Sequence, residues 1–169
     1  MTKKYHHAAI CTGSFDPPTY GHINIIERSL KIFDRVVVAV ANNTSKKVLF
    51  TVAERQEMLG KMFKHESRVE VDTFEGLLVN YAKEKGIATL LRGIRTVADY
   101  EFELQMSLAN RILEPSIETI FIMTEGRFSH ISSSIIKEVV MLGGSAKEMV
   151  PPFVEAKLKK KLQLIKSAL

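Results

Sequence analysis

Short runs of β-branched and other apolar residues alternate along the chain with longer stretches in which apolar positions recur every three or four residues. The short runs are Ala8 to Thr12, Arg35 to Ala41, Val69 to Asp72, Thr89 to Leu91 and Glu118 to Met123, and each predicts a strand. Between the first two, Gly21 to Phe33 places Ile23, Ile26, Leu30 and Phe33 on one face at helical spacing. Thr51 to Phe63 opens with Thr51 and Glu54 in capping-box register and then carries Met58, Leu59 and Met62 on one side. Leu77 to Lys85 stops at Gly86, Tyr100 to Leu113 stops before Pro115, and Ser133 to Leu142 stops at Gly143-Gly144. Pro151-Pro152 opens a last amphipathic helix with Val154, Leu158, Leu162, Ile165 and Leu169 on its apolar face.

Strands of four to seven residues separated by single helices imply right-handed crossovers and a parallel sheet covered on both faces. The expected fold is α/β: a single Rossmann-like domain over residues 1–169, with a five-stranded parallel sheet flanked by helices. In such sheets ligands bind beyond the carboxyl ends of the strands. That directs attention to the loops 12–22, 42–50, 73–77, 92–99 and 124–134.

Composition narrows the picture. The 169 residues are 46% hydrophobic and 25% charged, which fits one ordinary domain and argues against disorder. No apolar run approaches the length needed to cross a bilayer, and the first residues lack the pattern of a secretory signal. A single cysteine fits a reducing, cytoplasmic compartment, and Cys11, inside the first strand, reads as a small buried hydrophobe. His6 and His7 are adjacent, so along a strand they point apart and make a poor metal pair. No metal held by protein side chains is expected. The net charge of +5 is local: residues 153–169 hold five lysines against Glu155, and the rest of the chain is nearly balanced. The segment 151–169 is therefore a basic amphipathic helix, a solvated face over an apolar seam. Neither nucleic acid nor membrane is expected as a partner.

The loop after the first strand, Thr12-Gly13-Ser14-Phe15-Asp16-Pro17-Pro18-Thr19-Tyr20-Gly21-His22, runs straight into a helix. Gly13 would allow close backbone approach, and the free N–H groups at Gly21 and His22 would favour phosphate. The loop is neither a Walker loop nor a dinucleotide fingerprint. It resembles the G-T-F-D-P…T-x-G-H signature of the nucleotidylyltransferase superfamily, and Ile131-Ser132-Ser133-Ser134 resembles that superfamily's I-S-S-[ST]. Arg92-Gly93-Ile94-Arg95-Thr96-Val97-Ala98-Asp99-Tyr100-Glu101 is similar to a segment of the phosphopantetheine adenylyltransferase family within it. The likeness runs from Ala8 to about Pro152 in matching order.

That resemblance implies transfer of an adenylyl group from ATP to 4'-phosphopantetheine, with Mg2+ bound alongside the ATP. By resemblance, His22 stabilises the transition state, and Ser14, Lys46 and Arg92 complete the catalytic set. ATP would meet Ser14, Phe15, His22, Gly93, Ile94, Arg95, Glu103 and the run Phe128, Ser129, His130, Ile131, Ser132, Ser133, Ser134. Phosphopantetheine would meet Ser14, Lys46, Leu78 and Arg92, with Leu77, Tyr100, Leu104 and Asn110 completing the wall around its arm. Lys47 stands beside Lys46 and is the alternative phosphate contact. Asp99 reads as a residue that holds one of the arginines.

Ser14 stands where the family usually has threonine, Phe128 where Tyr or Trp is frequent, and Tyr20 where asparagine is common. The resemblance further implies a homohexamer and inhibition by coenzyme A in the same cleft. Other readings remain open on the residues alone: a nucleotidylyltransferase using CTP with a phospho-alcohol or ATP with nicotinamide mononucleotide, or a non-catalytic nucleotide binder on the same fold.

Overall fold

The computed structural model describes residues 7–42 and 47–167. Five strands, β1 (Ala8–Gly13), β2 (Arg35–Ala41), β3 (Val69–Phe74), β4 (Thr89–Ile94) and β5 (Glu118–Met123), form one sheet. Every pairing is parallel, in the order β3-β2-β1-β4-β5. The chain order reverses between β1 and β4, which opens a crevice at their carboxyl ends.

The helices are α1 (Tyr20–Ser29), α2 (Val52–Met62), α3 (Leu78–Lys85), α4 (Val97–Leu113), α5 (Ser133–Met141) and α6 (Pro152–Ser167). β2, the most continuously apolar run, is buried from Val36 to Val40. Residues alternate between the two faces of the sheet, so Val36, Val38 and Val40 pack with Ile25, Ile26 and Leu59 of α1 and α2. Val37 and Ala39 pack on the other face with Val79 and Ala82 of α3. Burying each of the valine, isoleucine and leucine side chains stabilises the fold by about 1.5–3 kcal/mol.

A third cluster joins α2, α5 and α6 through Met58, Ile136, Val140, Val154 and Leu158. The basic last helix therefore docks on its own chain. Lys157 and Lys161 bridge to Glu57 and Glu54 of α2, and its apolar seam fades at Ile165, which is exposed.

The caps follow the sequence. Thr51 and Glu54 form the expected capping box on α2, and Gly86 ends α3 at φ +64°. Several boundaries differ from the pattern: β3 runs on to Phe74, α1 ends at Ser29 rather than Phe33, and two further differences bear on the site. β4 continues to Ile94 because Arg92 to Ile94 pair with Phe121 to Met123 of β5, so Arg92 and Gly93 belong to the strand and not to a loop. α4 begins at Val97, three residues earlier than its apolar spacing suggests, because Thr96 caps it by accepting from the Asp99 N–H.

Candidate active site

The reversal between β1 and β4 brings the loop Ser14 to Thr19 opposite Arg92 and the segment that follows it. Buried charge and close packing hold that loop in place. Phe15 has φ +48°, its ring is buried, and it lies under Gly13. A Cβ at Gly13 would come within 3.2 Å of the Phe15 ring. Glycine at 13 thus makes room for Phe15, a role different from the expected approach of backbone to ligand.

Asp16, 3% exposed, accepts from the Leu49 and Phe50 N–H groups and from the Lys137 ammonium at 2.7 Å. The buried Arg55 guanidinium donates to the carbonyls of Ser14 (2.7 Å), Ala41, Phe50 and Thr51. These two residues tie the loop to both ends of the 42–50 segment. The sequence pattern missed them, together with Lys137, because on a helix period Arg55 and Lys137 read as surface positions. The only available signal was the isolated carboxylate between Phe15 and Pro17.

Thr19 caps α1 in an unusual capping box in which the reciprocal side chain is His22. The Thr19 N–H donates to His22 Nδ1 at 3.0 Å, Thr19 Oγ1 lies 3.1 Å from the same nitrogen, and the His22 N–H donates to Thr19 Oγ1. The Tyr20 N–H is taken by the Met149 carbonyl. The first turn of α1 is thereby largely satisfied by protein, which corrects the expectation of open N–H groups at His22. Nε2 of His22 has no protein partner among the described residues. Burial, reinforced by the Arg95 and Arg92 charges, lowers the His22 pKa to about 4. The ring packs edge-on to Phe15 with centroids 5.0 Å apart.

Across the crevice, Arg92 donates through Nε to Glu103 Oε2 (2.7 Å) and through its second terminal nitrogen to Glu103 Oε1. Its remaining terminal nitrogen donates to the carbonyl and hydroxyl of Thr12. Glu103, read by resemblance as a nucleotide contact, here orients Arg92. Arg95 forms a fork with Asp99 and donates to the Ile131 carbonyl at 2.8 Å, so Asp99 does hold an arginine. Gly93 is needed for packing, since a Cβ there would sit 3.0 Å from Ile25 of α1.

The serine run is partly occupied by the fold. Ser132 caps α5 through the Ile135 N–H, Ser133 donates to the Pro17 carbonyl, and Ser129 donates to the Gly126 carbonyl. Ser134 is exposed at the start of α5, where the first N–H groups have no carbonyl one turn back. Phe128 is half-buried near Gly21, and His130 is exposed. Burial pushes the Cys11 thiol up to about 11, which keeps it protonated.

A cleft of about 660 Å³ opens beside this cluster. Ser14, Arg92 and Glu103 lie on its wall, together with Leu77, Leu78, Phe102, Met106 and Asn110. Tyr100 and Leu104, expected on that wall, are absent from it. The positions 102, 103, 106, 107 and 110 form the α4 face that looks into the cleft, and Tyr100 packs on Phe121. Phe102 and Met106 take their place. Lys46 lies outside the described residues, and Lys47 is exposed. No group of three metal-ligating side chains occurs among the described residues.

The parallel sheet with its T-x-G-H turn and serine-capped fifth helix defines a nucleotidylyltransferase. Residues 10–139 match the family model described as cytidylyltransferase-like. A phosphopantetheine adenylyltransferase of Carboxydothermus hydrogenoformans is 50% identical over 155 residues, covering 92% of this chain and 96% of that protein. At that identity over nearly the whole of both chains, this chain belongs to the phosphopantetheine adenylyltransferase family. A solved structure from Vibrio parahaemolyticus, provisionally assigned as a nicotinate-nucleotide adenylyltransferase, shares the fold. Its TM-score is 0.68 at 20% identity, over 92% of this chain and 93% of that one.

Proposed function

We propose that this chain transfers the adenylyl group of ATP to the phosphate of 4'-phosphopantetheine, giving dephospho-coenzyme A and pyrophosphate. The observation that carries the reading is the pairing of two unlike half-sites across the β1–β4 reversal. A hydrogen-bonded cluster around His22 suits a polyphosphate, and a long, largely apolar cleft beginning at Ser14 and Arg92 suits a phosphate on an extended arm. An oxygen of the acceptor phosphate attacks the α-phosphorus in line, the bond to the bridging oxygen breaks, and pyrophosphate leaves. The acceptor is already an anion, so no base and no covalent intermediate are needed. The protein aligns two polyanions and stabilises charge that grows during the step.

In this reading Arg92, held by Glu103 and Thr12, orients the acceptor phosphate with its planar fork. Ser14, whose hydroxyl has no protein partner among the described residues, stands between the two substrates. His22 Nε2 donates to the α-phosphate, and Lys46 supplies acceptor-side charge. Arg95, the Gly93–Ile94 backbone and the Phe128 to Ser134 segment hold the nucleotide. The donors at that end are N–H groups, hydroxyls and guanidinium, which fit phosphate oxygens better than a bare cation. Magnesium would thus ride on the triphosphate and water, neutralising charge on the leaving group. Leu77, Leu78, Phe102 and Met106 enclose the arm.

Coenzyme A, which ends in the same arm, would compete for that wall. Assembly into a homohexamer is supported by α4, a helix of 17 residues with none buried and with Val97, Leu108, Ile112 and Leu113 exposed. No helix among the described residues is long and apolar enough to cross a membrane. A cytoplasmic setting suits the single protonated cysteine.

The test is pyrophosphate release from ATP and magnesium with 4'-phosphopantetheine, beside nicotinamide mononucleotide, glycerol 3-phosphate and CTP controls. Turnover only with ATP and phosphopantetheine is expected. Turnover with another pair would keep the class and overturn the acceptor site.

A further inference from the structure

His22 is the reciprocal member of a capping box, a place where Glu or Gln usually stands. One edge of its ring is therefore committed to the fold, while Nε2 on the other has no protein partner among the described residues. The commitment has a chemical direction. A backbone N–H can only donate, so the Thr19 N–H at 3.0 Å requires a lone pair on Nδ1. Thr19 Oγ1 already accepts from the His22 N–H, and its own hydrogen is free to point at the same nitrogen, 3.1 Å away. The backbone N–H and the hydroxyl of Thr19 thus converge on Nδ1, and Thr19 is 2% exposed, so water does not substitute for either.

We propose that Thr19 is a positioning residue for His22: by aiming two donors at Nδ1 it places the ring proton on Nε2 and keeps the imidazole neutral. The ring then meets the α-phosphate as an uncharged, directional N–H donor. An imidazolium would need a hydrogen on Nδ1, where it would face the Thr19 N–H and break the reciprocal half of the capping box. The charged groups around the ring act in the same sense. Arg92 on β4 and Arg95 just after it both oppose a further positive charge, and their own partners, Glu103 and Asp99, are engaged with them. Phe15 packs on the ring from the preceding loop, and Phe128 lies against Gly21 from the β5–α5 segment; both are neutral. Formal charge is then divided from geometry. The arginines supply the first, and His22 supplies a donor whose protonation does not drift with pH across the neutral range.

The inference rests on the proposed reaction for the role of Nε2, but the tautomer itself is readable without substrate. In the free protein, ¹⁵N shifts of His22 from about pH 8 down to about pH 5.5 should show a bare Nδ1 and a protonated Nε2 throughout. With saturating substrates, kcat should lack an ionisation near 6.5. Thr19→Val, which keeps the backbone N–H but removes the hydroxyl and the α1 cap, should admit the Nδ1–H tautomer and let His22 take up a proton at higher pH than in the native protein. It should also add an acid limb to kcat and lower kcat at neutral pH about tenfold. Thr19→Ser should restore both the spectrum and the profile. An Nδ1–H tautomer or an imidazolium in the native protein at neutral pH would overturn the proposal, whether or not the valine variant folds. So would a folded Thr19→Val variant with an unchanged spectrum and profile. A wrong acceptor would show as missing turnover with the ¹⁵N result intact.

Discussion

The two halves of the cleft are built on opposite plans. On the nucleotide side four polar side chains are fastened to the backbone of another segment: Asp16 to 49–50, Arg55 to Ser14 and Ala41, Arg95 to Ile131, Ser133 to Pro17. On the acceptor side the wall is a groove of apolar side chains beneath a helix that buries none of its residues, with Arg92–Glu103 at its mouth. Growing charge needs donors that are already aimed, because reorganising them during the step would raise the barrier. An extended, mostly uncharged arm needs shape, which side chains can supply while remaining partly exposed.

Changes on the two sides should therefore fail differently. The largest effect is expected at His22. His22→Ala should lower kcat by about a thousandfold while ATP binding by calorimetry changes little, since the Nε2 contact strengthens only in the transition state. A loss of ATP affinity at preserved kcat would remove the distinction. Asp16→Ala strands the Lys137 ammonium and two N–H groups, and should destabilise the fold by about 3 kcal/mol or more in urea unfolding. A change within error would mean that the buried pair does not hold the loops together.

Acid should act on the same half more gradually. The folded pKa of His22 lies near 4, below the ordinary 6.5, so the unfolded chain takes up a proton first as pH falls. The stability gained by keeping His22 neutral is full above about 6.5 and is lost as pH drops toward about 4, which chemical melts across that window would record. On the acceptor side, Glu103→Gln should raise the KM for phosphopantetheine about tenfold with a smaller change in kcat, by loosening the Arg92 fork. A rise in the KM for ATP alone would return Glu103 to the nucleotide. Met106→Ala, the mildest, should raise the acceptor KM only severalfold, as expected for a half-exposed apolar wall.

Periodicity was enough for the sheet and its helices because β2 is buried along its length and the caps at Thr51 and Gly86 obey local rules. It stopped short at β4, since Arg92 and Gly93 look like loop residues until β5 pairs with them. In the site, the motif residues were legible by position, whereas their partners were not. Arg55 and Lys137 sit in ordinary helical sequence, and nothing local says that one is buried against four carbonyls or that the other reaches Asp16. Tyr100 and Leu104 were placed on the cleft by resemblance, which does not fix how this helix is turned. Phe102 and Met106 face the cleft because α4 starts at Val97 and is turned toward β4 by Glu103.

The thin packing of α4 has a consequence for motion. An element held by few buried contacts opens at low free-energy cost, so its amides should exchange with solvent long before those of β2. Glu103 rides on α4, and the fork at Arg92 is only as steady as that helix. The acceptor mouth thus inherits the breathing of α4, and a neighbour that settled against the exposed face would quieten the cleft without touching it.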